Sequence, residues 1–227
     1  MYNETNRALD LSFPCIVAVI GCGGKTSLIT QMAEGFLGKK VLISPTTKIF
    51  PAKVENADCR GAFNPTTGKL EALPEHELKD LVSNYDVVLL EADGSRSLPC
   101  KGWRADEPVI PRFCTHTIGI VTLNALNCLA DSAYIHNLPQ FLALTGLREG
   151  EAITLQALQA MVCAPGGMFK NSVGRRVLLV NQVESRSNAK IANGFLKTIK
   201  ESYPSMFAKL MHGSIHRDTW WEVRLDG

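Results

Sequence analysis

A glycine-rich segment between a buried strand and a helix constrains the fold of this 227-residue chain more than any other feature. Residues 15–20 read CIVAVI, an apolar run rich in β-branched side chains that is typical of a strand buried on both faces of a parallel sheet. Residues 21–27 read GCGGKTS, and we call them the glycine loop. Apolar residues then recur at helical spacing from Leu28 to Leu37, before Gly38. The unit is therefore a strand, a glycine loop and a helix.

The glycine loop has the composition that binding of a phosphate chain requires. Its glycines let backbone N–H groups approach phosphate oxygens, and the helix N-terminus adds the favourable end of its dipole. Lys25 is expected to reach the β- and γ-phosphates, and the Thr26 hydroxyl to coordinate Mg²⁺. The loop residues predicted to bind nucleotide are Gly21, Cys22, Gly23, Gly24, Lys25, Thr26 and Ser27.

The loop is a compact variant of the P-loop. Val19 stands six positions before Lys25, where the common pattern G-x-x-x-x-G-K-[ST] has glycine. The loop resembles the G-T-x-G-K-T-[ST] loop of Mur-type peptide ligases. The alternative reading is a glycine-rich turn that carries a lysine by chance.

Two carboxylates lie at the end of a third buried strand, which is predicted over residues 86–91. Glu91 ends this strand and Asp93 follows two residues later. A magnesium nucleotide site needs an acidic residue in this place, to hold the metal or to orient the attacking water. The predicted catalytic residues are Lys25, Glu91 and Asp93, and the predicted metal ligands are Thr26, Glu91 and Asp93. The sequence does not separate the roles of the two carboxylates, and a solvated strand end is the alternative.

Further candidates lie in the neighbouring loops. Thr47, after a strand predicted over residues 41–44, is a candidate to present a hydroxyl to magnesium, with an ordinary turn as the alternative. Arg96, Lys101 and Arg104 are candidate charge stabilisers of a transferring phosphate.

Another pair of candidates follows a late strand, predicted over residues 177–180. Asn181 and Glu184 stand in the sequence NQVE, which resembles a degraded form of the N-K-x-D motif that GTPases use to read guanine. Because the lysine is missing, the nucleotide is left open between ATP and GTP, with guanine slightly preferred. A polar strand end is the alternative.

Alternating strands and helices define the predicted fold class. Further strands are predicted at residues 117–121, and helices at residues 75–83, 138–147, 155–162 and 187–203. This order predicts an α/β, P-loop NTPase-like, doubly wound and mainly parallel sheet with helices on both faces, whose ligands sit beyond the carboxyl ends of the strands. One such domain is predicted over residues 1–227. Residues 51–74 form either a mobile excursion or a small hairpin, and residues 213–227 either a sheet edge or an interaction tail.

Composition argues against several classes of protein. A net charge of +2 gives no electrostatic hold on nucleic acid or on an anionic membrane. Seven cysteines without a C-x-x-C pair indicate neither a disulfide framework nor a zinc ribbon, which favours a reducing cytosol. The chain has no apolar run of about 18 residues and no signal-peptide pattern. We therefore expect a cytoplasmic protein without nucleic-acid or membrane partners.

Several motifs taken together resemble the YqeC family. They are GCGGKTS (21–27), TTKIFP (46–51), EADGSR (91–96), PCKGW (99–103) and DEPVIP (106–111). The resemblance implies a role in maturing selenium-dependent molybdenum hydroxylases of the xanthine dehydrogenase type. It implies a molybdenum hydroxylase, or the proteins that mature its cofactor, as partner.

The sequence from Glu91 to Gly94 is also similar to the acidic E-x-x-G motif of nickel-inserting accessory GTPases. That similarity makes Cys100 a candidate ligand for a transferred metal or selenium species, with a structural role as the alternative. Cys22, at a helix N-terminus, is a candidate for a redox or metal role or else a tolerated loop residue.

Three functions stay open at this point. The first is a nucleoside triphosphatase that uses Mg²⁺ and ATP or GTP, in which the γ-phosphate orders loops and hydrolysis releases them to a partner enzyme. The second is a Mur-like kinase or ligase acting on a cofactor precursor. The third is a nucleotide-binding scaffold that does not hydrolyse.

Overall fold

A computed structural model describes residues 3–224, and its strands and helices alternate for most of this length. The strands are β1 (Cys15–Gly21), β2 (Val41–Pro45), β3 (Lys48–Ile49), β4 (Ala57–Cys59), β5 (Ala62–Asn64), β6 (Lys69–Glu71), β7 (Val87–Glu91), β8 (Cys100–Lys101), β9 (His116–Thr122), β10 (Ile135–His136), β11 (Arg175–Asn181), β12 (Lys209–Ser214) and β13 (Thr219–Glu222). The helices are α1 (Glu4–Leu9), α2 (Lys25–Gly35), α3 (Glu75–Val82), α4 (Leu138–Thr145), α5 (Leu155–Cys163) and α6 (Arg186–Ser202), with a 3₁₀ turn at Leu123–Ala125.

Eight of these strands form one sheet in the order β13-β12-β11-β9-β1-β7-β2-β4. All neighbours pair in parallel except β13, which is antiparallel to β12 at the edge. The prediction of a mixed α/β fold with a mainly parallel sheet is confirmed. Because parallel strands end at the same edge, the residues that follow β1, β7, β2 and β11 meet there.

Alternate residues of each strand enter separate cores, one on each face of the sheet. Val17 and Val19 of β1 pack with helices α1 and α2, whereas Ala18 and Ile20 pack with α3, α5 and α6. The period of two along the strand places successive side chains on opposite faces. Burial on both faces explains why the parallel strands read as continuous apolar runs, and it puts helices on both sides of the sheet.

Helix α2 ends at Gly35, three residues before the glycine that the sequence suggested as its stop. Side-chain amides of α1 and of its N-cap residue account for this earlier end. Asn3 Nδ2, from the N-cap, donates to the Gln31 carbonyl at 2.6 Å, and Asn6 Nδ2 donates to the Met32 carbonyl at 2.9 Å. A Cβ at Gly35 would lie 2.4 Å from Asn3 Nδ2. The last carbonyls of the helix are thus bonded by side chains that a local pattern does not reveal.

Both segments left open by the sequence contain strands. Residues 51–74 include β4, which extends the main sheet, and the antiparallel pair β5–β6, so the hairpin alternative matches the structure. Strand β3 pairs with β6, and we call β3, β6 and β5 the small sheet. Residues 213–224 reach the edge strand β13, which matches the sheet-edge alternative, while residues 225–227 lie outside the described part. Within residues 3–224, no helix is both long and apolar enough to cross a bilayer.

Candidate functional site

The glycine loop requires glycine at three positions. Gly21, Gly23 and Gly24 have φ angles of +99°, +93° and +128°, in the region that L side chains rarely adopt. A Cβ at Gly21 would stand 2.2 Å from the Ile120 carbonyl oxygen, and one at Gly23 would stand 2.7 Å from Thr122 Cβ. Strand β9 therefore packs directly against the loop and holds its backbone in place.

Asn181, at the end of β11, fastens the loop from the other side. Its Nδ2 donates to the Gly23 carbonyl at 2.8 Å, and its Oδ1 accepts from the Ile215 N–H at 2.9 Å. The side chain is 5% exposed, so both amide ends are bonded within the protein. In this structure Asn181 supports the loop backbone.

Lys25 is the loop residue at which helix α2 begins. Its Nζ donates to the Gly21 carbonyl at 2.7 Å and lies 3.2 Å from Asp93 Oδ1 and 4.0 Å from Glu91 Oε1. Burial lowers the pKa of Lys25, but the neighbouring carboxylates outweigh that effect and the pKa is raised. The buried amine is therefore a cation at neutral pH. Ser95 Oγ, which the sequence did not single out, accepts a further hydrogen bond from it at 3.2 Å.

Asp93 is fully buried behind the loop. Its carboxylate accepts from the Gly21 N–H at 3.0 Å and from Trp103 Nε1 at 2.8 Å, in addition to its ion pair with Lys25. Lys101 Nζ approaches it to 3.8 Å. Charged and hydrogen-bonding groups thus surround Asp93 on the inner side of the loop, which fixes the loop to the end of β7.

Glu91 instead faces the cavity in front of the loop. Thr26 Oγ1 donates to Glu91 Oε2 at 2.9 Å, which joins the first turn of α2 to the end of β7. Burial raises the pKa of Glu91, while Lys25 and Thr26 partly offset that effect. The two carboxylates that the sequence treated together therefore lie in different surroundings.

The cavity in front of the loop has a volume of about 940 Å³. One wall consists of Gly23, Gly24, Lys25, Thr26, Ser27 and Glu91. Among residues 3–224, no side chain caps the N-terminus of α2 behind this wall. Thr47 also lines the cavity, and its buried Oγ1 has no hydrogen-bond partner among residues 3–224. Uncapped helix N–H groups make the glycine-loop wall suited to a polar ligand.

Some of the predicted site residues do not reach this cavity. Gly21 and Cys22, at the start of the loop, do not line the cavity, and neither do Asp93 and Asn181, which contact the loop from behind. Glu184 is also absent from the lining and accepts from Ser214 Oγ at 2.9 Å. The residue after Asn181, Gln182, lines the cavity with φ of +64° and accepts from Thr122 Oγ1 at 2.5 Å. Its left-handed backbone gives no signal in the sequence.

The three cations suggested as charge stabilisers separate into two groups. Lys101 is fully buried, and its Nζ donates to the Gly94 carbonyl at 2.6 Å and pairs with Glu107 Oε1 at 3.1 Å. It therefore holds the loop after β7 in place. Arg96 and Arg104 are exposed and line the cavity.

Cys22 and Cys100 are both fully buried. Burial raises the pKa of the Cys22 thiol to about 12 and that of Cys100 well above its ordinary value. Both are thus protonated and poorly nucleophilic at neutral pH. Within residues 3–224, no group of three His, Cys, Asp or Glu side chains is positioned to hold a metal ion.

A family model described as "YqeC protein" matches residues 17–139, which contain the glycine loop, Glu91, Asp93 and the loop carrying Lys101 and Trp103. This chain belongs to the YqeC family. "Uncharacterized protein YqeC" of Escherichia coli (strain K12) is 30% identical to it over 214 residues, covering 83% of this chain and 84% of that protein. The resemblance drawn from the sequence motifs is confirmed.

Proposed function

We propose that this YqeC-family protein binds a magnesium nucleoside triphosphate at the glycine loop and hydrolyses it. The observation that carries the proposal is the 2.9 Å hydrogen bond between Thr26 Oγ1 and Glu91 Oε2, formed beside the Lys25 cation. A hydroxyl in the first helical turn and a carboxylate from the neighbouring parallel strand are the pair that holds Mg²⁺ in P-loop NTPases. This arrangement favours a P-loop NTPase-like fold over a chance glycine turn.

The residues present fit a magnesium nucleotide. Mg²⁺ keeps several waters and takes one or two carboxylates together with phosphate oxygens of the substrate. Thr26 and Glu91 would supply two oxygen ligands on the cavity side. Thr47, whose Oγ1 has no hydrogen-bond partner among residues 3–224, is a third candidate ligand or a bond donor to the terminal phosphate. Bound in this way, the ion would neutralise charge on the β- and γ-phosphates.

Lys25 would supply the cation for the phosphates. Its present partners, the Gly21 carbonyl and Asp93, lie at the base of the loop. Moving Nζ toward a phosphate would leave Asp93 with the second ammonium of Lys101, so the buried carboxylate would keep a counter-ion. We therefore assign Asp93 to positioning the loop, and Glu91 to the metal or to the attacking water.

Hydrolysis requires a water in line with the terminal phosphate. Of the two carboxylates Glu91 and Asp93, only Glu91 lines the cavity. Its raised pKa suits it to accept a hydrogen bond or a proton from that water. The glycine loop N–H groups would hold the phosphate oxygens as negative charge is redistributed.

The biological role is a further part of the proposal. The motifs shared with the YqeC family imply an accessory role in maturing a selenium-dependent molybdenum hydroxylase. We propose that the γ-phosphate orders the loops after Thr46 and Glu91, and that hydrolysis releases them to the partner. Phosphate release that is slow alone and rises on addition of the immature hydroxylase would support this role, and an unchanged rate would contradict it.

The chemistry is tested by phosphate release from ATP, GTP and CTP in Mg²⁺, measured for the parent and for Glu91→Gln. We expect release by the parent and a large loss in Glu91→Gln. Glu77→Gln, on the exposed surface of α3, is the matched control and should leave the rate unchanged. Nucleotide binding without release by the parent would favour a non-hydrolysing scaffold, and equal rates for the parent and Glu91→Gln would remove Glu91 from the mechanism.

A kinase or ligase is the second candidate function. The observation that favours it is the composition of the cavity lining, which includes, besides the glycine loop, several cations and an exposed aromatic ring. Such an enzyme would consume nucleotide only when its acceptor is present.

A further inference from the structure

Besides the glycine loop, the cavity lining includes an exposed aromatic ring and several cations. We call this part of the lining the second wall, and it comprises Phe50, Lys69, Arg96 and Arg104. Phe50 follows β3 of the small sheet, lines the cavity and is 64% exposed. Lys69, the first residue of β6, places its Nζ 4.8 Å from the centroid of this ring. A large apolar ring so exposed gains little from the fold itself, and a flat ring beside a cation is a common surface for binding planar ligands.

The same wall carries positive charge that no ion pair between described residues neutralises. Lys69, Arg96 and Arg104 line the cavity, and none takes part in an ion pair among residues 3–224. Lys48 differs because it pairs with Glu71 at 2.8 Å. Three unpaired cations around one cavity favour an anionic occupant.

The backbone near these cations is held in an unusual conformation. Arg96 and Ser97 have φ angles of +51° and +61°, which non-glycine residues adopt only at some energetic cost. The buried bond from Lys101 Nζ to the Gly94 carbonyl anchors the start of this turn. The fold thus maintains the turn that exposes the Arg96 side chain along the cavity.

This wall lies on the carboxylate side of the glycine loop. Strands β7 and β2 stand on one side of β1, and β9 and β11 on the other, so the small sheet and the loop after β7 adjoin Glu91. If the proposed nucleotide binds, Lys25, Thr26 and Glu91 mark its terminal phosphates. The wall would then face the end of the phosphate chain, and this placement rests on the proposed function.

We propose that Phe50, Lys69, Arg96 and Arg104 form a second ligand subsite, which binds a small molecule combining a planar ring with negative charge. The ring stacks on Phe50 beside Lys69, and the negative groups pair with the arginines. A cavity of about 940 Å³ is at the upper end of the range for ligand sites, which leaves room for such a molecule beside a nucleotide. The subsite gives the protein a specific small-molecule substrate or effector in addition to the nucleotide.

The test uses pyrene tetrasulfonate, a fluorescent planar polyanion, and follows its binding to the full chain by anisotropy. Titrations are made with the free protein and with the protein saturated with Mg²⁺ and a non-hydrolysable nucleotide analogue. We expect one dye per chain in both states. Phe50→Ala should weaken dye binding about fivefold or more because one stacking contact is lost. Lys69→Gln should weaken it by a similar factor because the cation beside the ring is lost. Both should leave the nucleotide affinity unchanged.

Matched controls lie on or beside the small sheet outside the cavity. Phe63→Ala removes a ring that is 62% exposed on β5, and Lys53→Gln removes an exposed lysine, and neither should change dye binding. Dye affinity that is unchanged in Phe50→Ala and Lys69→Gln would overturn the subsite. Competitive displacement of the dye by the nucleotide analogue would also overturn it, because the wall would then belong to the nucleotide itself. If the parent binds no nucleotide, the proposed function fails. The subsite is still tested in that case by comparing the dye affinity of the free parent with that of free Phe50→Ala and Lys69→Gln.

Discussion

Thr26 Oγ1 and Glu91 Oε2 are joined by a 2.9 Å hydrogen bond across two parallel strand–loop units. Thr26 belongs to the first turn of α2 and Glu91 to the last position of β7, 65 residues later in the chain. The bond forms because β1 and β7 are neighbours in the parallel sheet and end at the same edge. It brings a hydroxyl and a carboxylate together beside the Lys25 cation.

Replacing Thr26 by valine tests the proposed metal role of this hydroxyl. Thr26→Val keeps the shape of the side chain and removes one oxygen ligand. We expect nucleotide affinity in Mg²⁺ to fall about tenfold, as for the loss of one bond to a charged group. Affinity in EDTA should be unchanged. Thr30→Val, one turn further along α2, is the control and should leave the affinity unchanged. If Thr26→Val lost the same nucleotide affinity in EDTA as in Mg²⁺, its hydroxyl would not coordinate the metal.

Asp93 is expected to matter chiefly for stability. Asp93→Asn removes the buried negative charge between Lys25 and Lys101, and we expect the free energy of unfolding in urea to fall by about 3 kcal/mol. Glu4→Gln, which breaks an exposed pair with Arg7, should cost less than about 1 kcal/mol. Similar small losses in both variants would show that the buried network contributes little.

Asn181 is expected to act through the glycine loop. Asn181→Ala leaves the Gly23 carbonyl and the Ile215 N–H without their partner, which should cost about 1–3 kcal/mol of stability. Nucleotide affinity should fall by the same factor for ATP and GTP when measured by calorimetry. A loss confined to GTP would instead support direct reading of the base, which the NQVE pattern suggested.

The buried thiols are expected to resist alkylation. At pH 8 the Cys22 thiol, with its pKa raised to about 12 by burial, is almost entirely protonated, and the thiolate is the reactive form. Iodoacetamide followed by peptide mass spectrometry should therefore modify the partly exposed Cys128 and spare Cys22 and Cys100 until urea is added. Rapid native labelling of Cys22 would restore it as a candidate for redox chemistry.

The strands and the glycine loop were predictable because their signals are local. Residues 15–20 and residues 87–90 are short runs of β-branched and other apolar side chains, which are typical of a doubly buried strand, and the loop and Glu91 follow them directly. Strand β12 was missed, since its sequence KLMHGS is interrupted by histidine and glycine. Short helix α1, with six residues and mostly polar side chains, gave no periodic signal.

The roles of Glu91 and Asp93 could not be separated from sequence because distant residues decide them. Trp103 and Lys101 come from the loop after β7 and enclose Asp93, whereas Glu91 faces the cavity. Asn181 shows the same limit, since its position after a strand suggested a base reader and its contacts bind the glycine loop. The apolar runs that precede these residues placed them at the correct edge of the sheet. Their contacts depend on tertiary packing, which the sequence pattern does not reveal.

Calorimetric titration of Mg·ATP and Mg·GTP into the parent and Lys25→Ala tests the central claim most directly. The parent should bind at least one of these nucleotides with one site per chain. Lys25→Ala should lose most of that affinity because the ammonium group of the loop is gone. Lys39→Ala removes a lysine beyond the end of α2 and should bind as the parent does. A folded Lys25→Ala protein that binds nucleotide as tightly as the parent would contradict the assignment of the glycine loop to a polyphosphate.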